Sequence, residues 1–284
     1  MNFPRVKEQT ALVTGCSSGI GLATAECLRA HGWRVLPTAR KPADREKLRA
    51  AGFTPITLDI ANAESVKTAT TEVLTLTGGA LGALVNNAGF GQPGALEDLS
   101  RAALREQFEV NVIGLQDLTN HFIPFFRKQG WGRIVNVSSV LGRIPLPLMG
   151  AYVASKYAVE ALSDCLRIEL RNAGVAVSIV EPGPITTEFR ANAEAAGWRH
   201  LTAATASPFA HIYRRNAEQP DRGKTRDHFQ LPPEAVAQKI LHALASPHPH
   251  RRYPVTFVAW AGAALRRFAP DTLVDRLLTH RVAD

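Results

Sequence analysis

Six short, continuously apolar runs, TALVTG, WRVLPTAR, TPITLDI, GALVNNAG, GRIVNVSS and VAVSIVEPG, follow one another with stretches of helical spacing between them. A strand that is apolar on both sides must be covered on both sides, and parallel neighbours need long crossovers between them. Helices meet both demands, so the order predicts an α/β chain built on a doubly wound parallel sheet. The intervening helical stretches read GLATAECLRAHG, ADREKLRAAG, AESVKTATTEVLTL, a long region to Lys128, and AYVASKYAVEALSDCLRIELRNAG.

The chain has 284 residues, a length that one α/β unit commonly reaches, and its Gly and Pro residues fall between elements instead of clustering into a linker. A single domain over 1–284 is expected. From Pro184 to Leu231 the period is lost over a polar, irregular length unusual for a plain loop, which reads as a substrate lid. After a weak return of the βα pattern in PPEAVAQKILHALAS, residues 250–284 form a C-terminal extension.

With 45% apolar and 20% charged residues, the composition is that of a soluble globular chain. The formal charge of +8 raises nucleic acid or an anionic membrane as a partner, yet no block of like charges occurs. The pairs Arg214-Arg215, Arg251-Arg252 and Arg266-Arg267 are scattered and read as solvated surface, so no nucleic acid is expected. Cys16, Cys27 and Cys165 form no CxxC and no metal-type spacing with His, which argues against a disulfide framework or a metal site and for a reducing compartment. MNFPRVKEQT lacks the apolar stretch of a secretory signal, and no run approaches the roughly 18 apolar residues of a membrane span. A cytoplasmic protein, assembled as a homo-oligomer, is expected.

In open parallel sheets, ligands sit beyond the carboxyl ends of the strands. Those ends carry Gly15, Arg40, Asp59, Asn86, the Ser138-Ser139 pair, and Pro182-Gly183. TGCSSGIG, from Thr14 to Gly21, ends the first strand and starts a helix. Gly15 permits the tight turn, Gly19 lets backbone approach a pyrophosphate, and Gly21 lets the helix pack closely, while the helix start offers free amides and a positive dipole end. Its position predicts dinucleotide binding on a Rossmann-type sheet. Further on, Tyr152 and Lys156 share a helix face if helix begins near Ala151, a spacing that solvated helices also show.

These features together resemble the short-chain dehydrogenase/reductase family, whose cofactor loop reads TGxxxGxG, with Cys16, Ser17 and Ser18 in the variable places here. The order continues through NNAG at Asn86 to Gly89, Asn111, Ser139, the YxxxK pair Tyr152 and Lys156, and Pro182-Gly183, covering about Gln9 to Phe189. The resemblance implies a catalytic set of Asn111, Ser139, Tyr152 and Lys156. It also implies a cofactor site of Gly15, Ser17, Ser18, Gly19, Ile20, Arg40, Asp59, Asn87, Ala88, Gly89, Pro182, Gly183 and Thr187, with Tyr152 and Lys156 touching the cofactor as well.

On that footing a nicotinamide performs the hydride chemistry and Tyr152 moves the proton. A phenol ordinarily near ~10 needs about 4 kcal/mol of preferential phenolate stabilisation to be half-ionised near neutrality. Lys156 and the nicotinium ring are the two cations expected to supply it. Tyr152 then acts as general acid toward a carbonyl and general base toward an alcohol. Strand alternation sends Ser138 and Ser139 to opposite sides, and the family's serine lies thirteen residues before the tyrosine, which selects Ser139 to hold the substrate oxygen. Asn111 is implied to hold a water linking Lys156 to solvent, although its position alone suggests only a kink or cap. NNAG is implied to steady the sheet beside the adenosine ribose. Asp59 is implied to contact the adenine amino group, and a helix-capping Asp would look the same.

Cofactor choice turns on Arg40. NAD-preferring enzymes place a carboxylate after the second strand for the ribose 2′-hydroxyl, whereas WRVLPTARK supplies Ala39 followed by Arg40 and Lys41. A guanidinium binds phosphate bidentately, so NADP(H) is expected. Ser18 stands where some NADP-preferring relatives carry a second base.

The leading reading is an NADP(H)-dependent oxidoreductase acting on an apolar carbonyl or alcohol. A dinucleotide-binding redox sensor or scaffold without turnover is the alternative, and the intact catalytic set weighs against it. Leu141, Ile144, Leu146, Leu148 and Met149 in VLGRIPLPLMGA imply an apolar pocket. The last stretch, from His250, resembles that of family members acting on retinoids, hydroxysteroids and long-chain aldehydes. Within it, VTFVAWAGAALRRF, where Trp260, Leu265 and Phe268 share a face, is expected to close the substrate mouth or a subunit interface in preference to touching a membrane surface.

Overall fold

The computed structural model of the chain describes residues 3–189, 193, 200–201, 206–218 and 229–279. Seven strands form one sheet in the order β3-β2-β1-β4-β5-β6-β7, and every neighbouring pair is parallel. They are β1 (Thr10–Val13), β2 (Arg34–Ala39), β3 (Ile56–Thr57), β4 (Ala83–Asn86), β5 (Gly132–Val137), β6 (Val175–Glu181) and β7 (Arg252–Pro254). The helices are α1 (Gly19–Ala30), α2 (Pro42–Ala50), α3 (Ala63–Leu76), α4 (Arg101–Phe108), α5 (Leu115–Gln129), α6 (Gly150–Glu169), α7 (Ala210–Glu218), α8 (Pro233–Ala245), α9 (Phe257–Phe268) and α10 (Asp271–Thr279).

The continuous apolar character of the strands is explained by two cores, one on each face of the sheet. Ala11 and Val13 of β1 turn toward α1 and α8, joining Leu28, Val236, Ile240 and Leu244. Leu12 turns the other way, with Leu36, Leu84 and Ile134, onto Val66, Val73, Phe122 and Phe126 of α3 and α5. Burying side chains of this size contributes about 1.5–3 kcal/mol each, and both faces share that gain. A doubly wound, Rossmann-type sheet is the result. The chain leaves β3 at one edge and returns to β4 on the other side of β1, so the switch point lies between the ends of β1 and β4.

Two strands differ from the sequence reading. TPITLDI yields only the two residues of β3, preceded by Pro55, which has no amide to give a ladder and so belongs at a sheet edge. In the C-terminal extension, β7 adds a short edge strand that no apolar run announced. The expected lid is not irregular throughout. Residues 190–192, 194–199, 202–205 and 219–228 of it lie outside the described residues, but α7 stands within it, and Tyr213 Oη donates to Asp98 Oδ2 at 2.5 Å while accepting from Ala95 N at 2.9 Å. Leu201 packs with Leu99, Ala103 and Ala151, next to Tyr152.

Candidate active site

The turn after β1 is shaped by glycine where the backbone demands it. Gly15 and Gly19 have φ of +71° and +57°, and a Cβ on Gly15 would lie 2.9 Å from Ala88 Cα. Thr14 ties this turn to NNAG: its hydroxyl accepts from Asn87 N and Ala88 N, both at 2.9 Å, and donates to Val85 O. Asn87 closes the tie by donating to the Thr14 and Gly15 carbonyls. Asn86 faces the other way and joins the sheet to the helices through Thr119 and Asn136, with Asn136 passing on to Ser163. NNAG therefore does steady the sheet.

Ser17 is exposed and Ser18 precedes α1 without a side-chain cap, leaving the first-turn amides of Gly19 and Ile20 open to an anion. Ile20 anchors that turn on the core. Thr187 sits over it, 3.2 Å from where a Gly19 Cβ would stand. Cys16, by contrast, is fully buried, donates to Val13 O, and has its thiol pushed up to about 12 by burial, which makes it inert. The chemistry of this cradle, glycine backbone plus free amides, fits a dinucleotide pyrophosphate.

At the end of β2 the Arg40 guanidinium is exposed, 3.7 Å from Asp59 Oδ2 across the gap to β3. An exposed pair at that distance is weak, so Arg40 remains open to a phosphate. Asp59 caps its own turn by accepting from Ala61 N, the role that its sequence position left open, and keeps only Oδ2 toward the site. No carboxylate follows β2: Ala39 is buried and Lys41 begins α2.

Ser139, Tyr152 and Lys156 meet between β5 and α6. Tyr152 and Lys156 lie on the first turns of α6 and are 6% and 5% exposed. Lys156 Nζ donates to Val137 O at 2.8 Å and stands 5.7 Å from the Tyr152 ring centre. Ser139, at the end of β5, faces the Tyr152 hydroxyl and accepts from Leu141 N at 3.1 Å. Ser138 points away, toward Glu160. Burial pushes the Tyr152 phenol up to about 12, against the opposing pull of Ser139, and pushes Lys156 down to about 8, against the opposing pull of Glu160. The expected lowering of the phenol is thus not a property of the protein alone, because it counted a nicotinium charge that only the cofactor brings.

Asn111 stands beside this group, bonded to its neighbours. It lies in a π-helical turn, Glu109–Gly114, between α4 and α5, and its side chain is fully engaged: Oδ1 accepts from Phe90 N, and Nδ2 donates to Phe90 O and Ser155 Oγ. Gly89 packs on Asn111, a Cβ there standing 3.1 Å from Oδ1. Pro182 accepts from Val140 N at 2.8 Å, and Gly183 is overlain by Thr256, so the ends of β5, β6 and β7 converge.

One wall of the site was not foreseen. The Phe189 ring lies 5.3 Å from that of Tyr152, and it meets Met149 over Gly91, whose missing side chain leaves the room. Only the irregular PGPITTEF run hinted at it. Leu148, between Pro147 and Met149, is in the left-handed region at φ 63°, a strained backbone held by a 2.7 Å bond from Gly94 N to its carbonyl.

Residues 9–197 match the short chain dehydrogenase family, and the chain belongs to that family of oxidoreductases. It is 42% identical to YbbO, an uncharacterized oxidoreductase of Escherichia coli K12, over 96% of this chain and 95% of that one. It is 34% identical to an NADPH-dependent 3-dehydrocapnine reductase of Ornithobacterium rhinotracheale (94% and 95% covered) and 34% identical to mouse retinol dehydrogenase 16 (96% and 88% covered). Among solved structures, a Burkholderia cenocepacia short chain dehydrogenase in complex with NADP superposes with TM-score 0.73 at 26% identity, covering 97% of this chain and 99% of that one. A Burkholderia phymatum relative in complex with NAD superposes with TM-score 0.74 at 27% identity, covering 95% of each.

Proposed function

We propose that this oxidoreductase uses NADP(H) to interconvert an apolar carbonyl and its alcohol, with Tyr152 as the proton donor and acceptor. The observation that carries the proposal is the buried triangle of Ser139, Tyr152 and Lys156 at the ends of β5 and α6. A bound nicotinamide supplies or takes the hydride. Ser139 holds the substrate oxygen, and Tyr152, a neutral phenol in this buried setting, has its proton available for a developing alkoxide. Lys156, fixed by Val137 O, offers the positive charge that favours the phenolate left behind. Asn111 positions the Gly89–Phe90 turn beside them.

The basic, carboxylate-free end of β2 supports NADP(H), as does the name of the NADPH-dependent relative. Phe189, Met149 and the strained Leu148 loop support an apolar substrate, as do the relatives that act on 3-dehydrocapnine and retinol. The described part of the lid, α7 and Leu201, lies against the same mouth. The helix α9 packs against the substrate loop. Its inner face is small, Ala259 and Gly262, and packs on Val140 and Ile144, while Phe257, Trp260 and Phe268 face outward. It backs the substrate loop without lining the pocket, and its outward aromatics support a homo-oligomer. Among the described residues no helix is long and apolar enough to cross a membrane. Three free cysteines support a cytoplasmic setting.

Tyr152→Phe should lower carbonyl-reduction turnover by about a hundredfold or more, the scale of a lost general acid, and leave NADPH affinity nearly unchanged. Turnover within a few-fold of the parent would mean that another group protonates the product. Arg40→Asp removes the phosphate partner and adds repulsion, so kcat/KM measured with NADPH and NADH side by side should reverse its order. Phe189 is exposed in the free protein and would be covered by an apolar substrate, so Phe189→Ala should raise KM for long aliphatic or polycyclic carbonyls about tenfold, with little change for small polar aldehydes. Equal effects on both substrate classes would remove Phe189 from the pocket.

A further inference from the structure

A cluster of buried charge lies directly behind the catalytic triangle. Glu160 is one helical turn beyond Lys156 on α6 and is 6% exposed. Arg252 of β7 reaches it at 2.9 Å and Arg143 of the substrate loop at 3.9 Å. Both arginines also contact Glu181, at the end of β6, at 3.4 and 3.5 Å, and Arg252 pairs with Asp164 at 2.8 Å. The charged and titratable groups around Glu160 are therefore Lys156 and Asp164 on its own helix, Arg143, Arg252 and Glu181. Ser138 completes the surround.

Three features of this cluster do not serve packing alone. The Glu160 carboxylate and the Ser138 hydroxyl are buried neighbours, so the carboxylate meets the arginines on one side and the strand end before Ser139 on the other. Gly142 leaves the space in which they meet, since a Cβ there would stand 2.6 Å from Ser138 Oγ, 3.0 Å from Glu160 Cγ and 3.2 Å from Lys156 O. Arg143, next in sequence, carries the substrate loop, and Tyr157 fixes it by donating to the Arg143 carbonyl at 2.7 Å. The cluster thus links the lysine helix, the substrate loop and the strand end before Pro182-Gly183.

We propose that Glu160 is a positioning residue of the proton step, acting through Lys156: its carboxylate, gripped by Arg252 and Arg143, keeps the Lys156 ammonium charged beside Tyr152. The inference rests on the proposed role of Tyr152 and Lys156. The signs agree. Burial pushes Lys156 down to about 8, and the negative Glu160 is the group that raises it. Glu160 is itself pushed up to about 7, by burial first and by Glu181 second, while Ser138, Arg252 and Arg143 lower it. As pH rises through the ionisation of Glu160, a negative charge appears one turn from Lys156 and holds its proton to higher pH.

The test is a carbon-NMR titration of the full chain labelled at the lysine ε-carbon, with Lys156 assigned by its loss in Lys156→Met. In the parent, the Lys156 signal should titrate with a smaller inflection where Glu160 ionises. Glu160→Gln should remove that inflection and lower the Lys156 midpoint by on the order of one pH unit, and Glu160→Asp should restore most of it. A single-step parent curve overturns the proposal, even if Glu160→Gln fails to fold. So does a folded Glu160→Gln protein whose melting temperature falls while the Lys156 midpoint stays. Because this readout needs no turnover, an active Tyr152→Phe enzyme would overturn the catalytic reading separately, leaving the Glu160–Lys156 coupling to stand or fall on the titration.

Discussion

The bond from Lys156 Nζ to the Val137 carbonyl joins the last residue of β5 to the second turn of α6. It fixes how the helix sits over the strand end, and with it the meeting of Tyr152 on that helix and Ser139 just beyond that strand. A buried ammonium with one carbonyl partner is expensive in isolation. Glu160 one turn on and the Tyr152 ring offset that cost, so the site is stable only as a unit.

The sheet supplies the frame for that unit. Because the strands are parallel, their carboxyl ends lie at one edge, and the switch between β1 and β4 opens the crevice in which Gly15 and NNAG face each other. Thr14 couples the two by two amide contacts, so the cofactor loop is positioned by the strand next to it. Burial then sets the chemistry. Without a cofactor the phenol is pushed up to about 12 and holds its proton, and we propose that the cofactor's positive ring shifts that balance.

Much of this was legible because local rules sufficed. Apolar runs with helical spacing between them predict a parallel sheet, and glycine at 15, 19 and 21 marks a turn that only glycine allows. Strand alternation separates Ser138 from Ser139, and the two hydroxyls do point to opposite partners, whereas the choice of Ser139 needed the family's spacing to the tyrosine. What was not legible depends on residues far apart in the chain. Glu160 reads as one more charge on a solvated helix until Arg252 arrives from β7. Asn111 has its side chain engaged by Phe90 and Ser155, contacts with no signature in sequence. The side that α9 turns inward was not legible either: Ala259 and Gly262 allow the close approach and leave Trp260 outward.

On the proposed mechanism, burial keeps the proton on Tyr152 until the oxidised cofactor is bound. Tyrosinate absorbance, recorded against pH for the parent minus Tyr152→Phe, with and without NADP⁺, measures it directly. Tyr152 should not ionise in the free protein until the pH approaches about 12, and its ionisation should shift toward neutrality with NADP⁺ bound. Ionisation near neutral pH in the free protein, or a midpoint that NADP⁺ does not move, would contradict it.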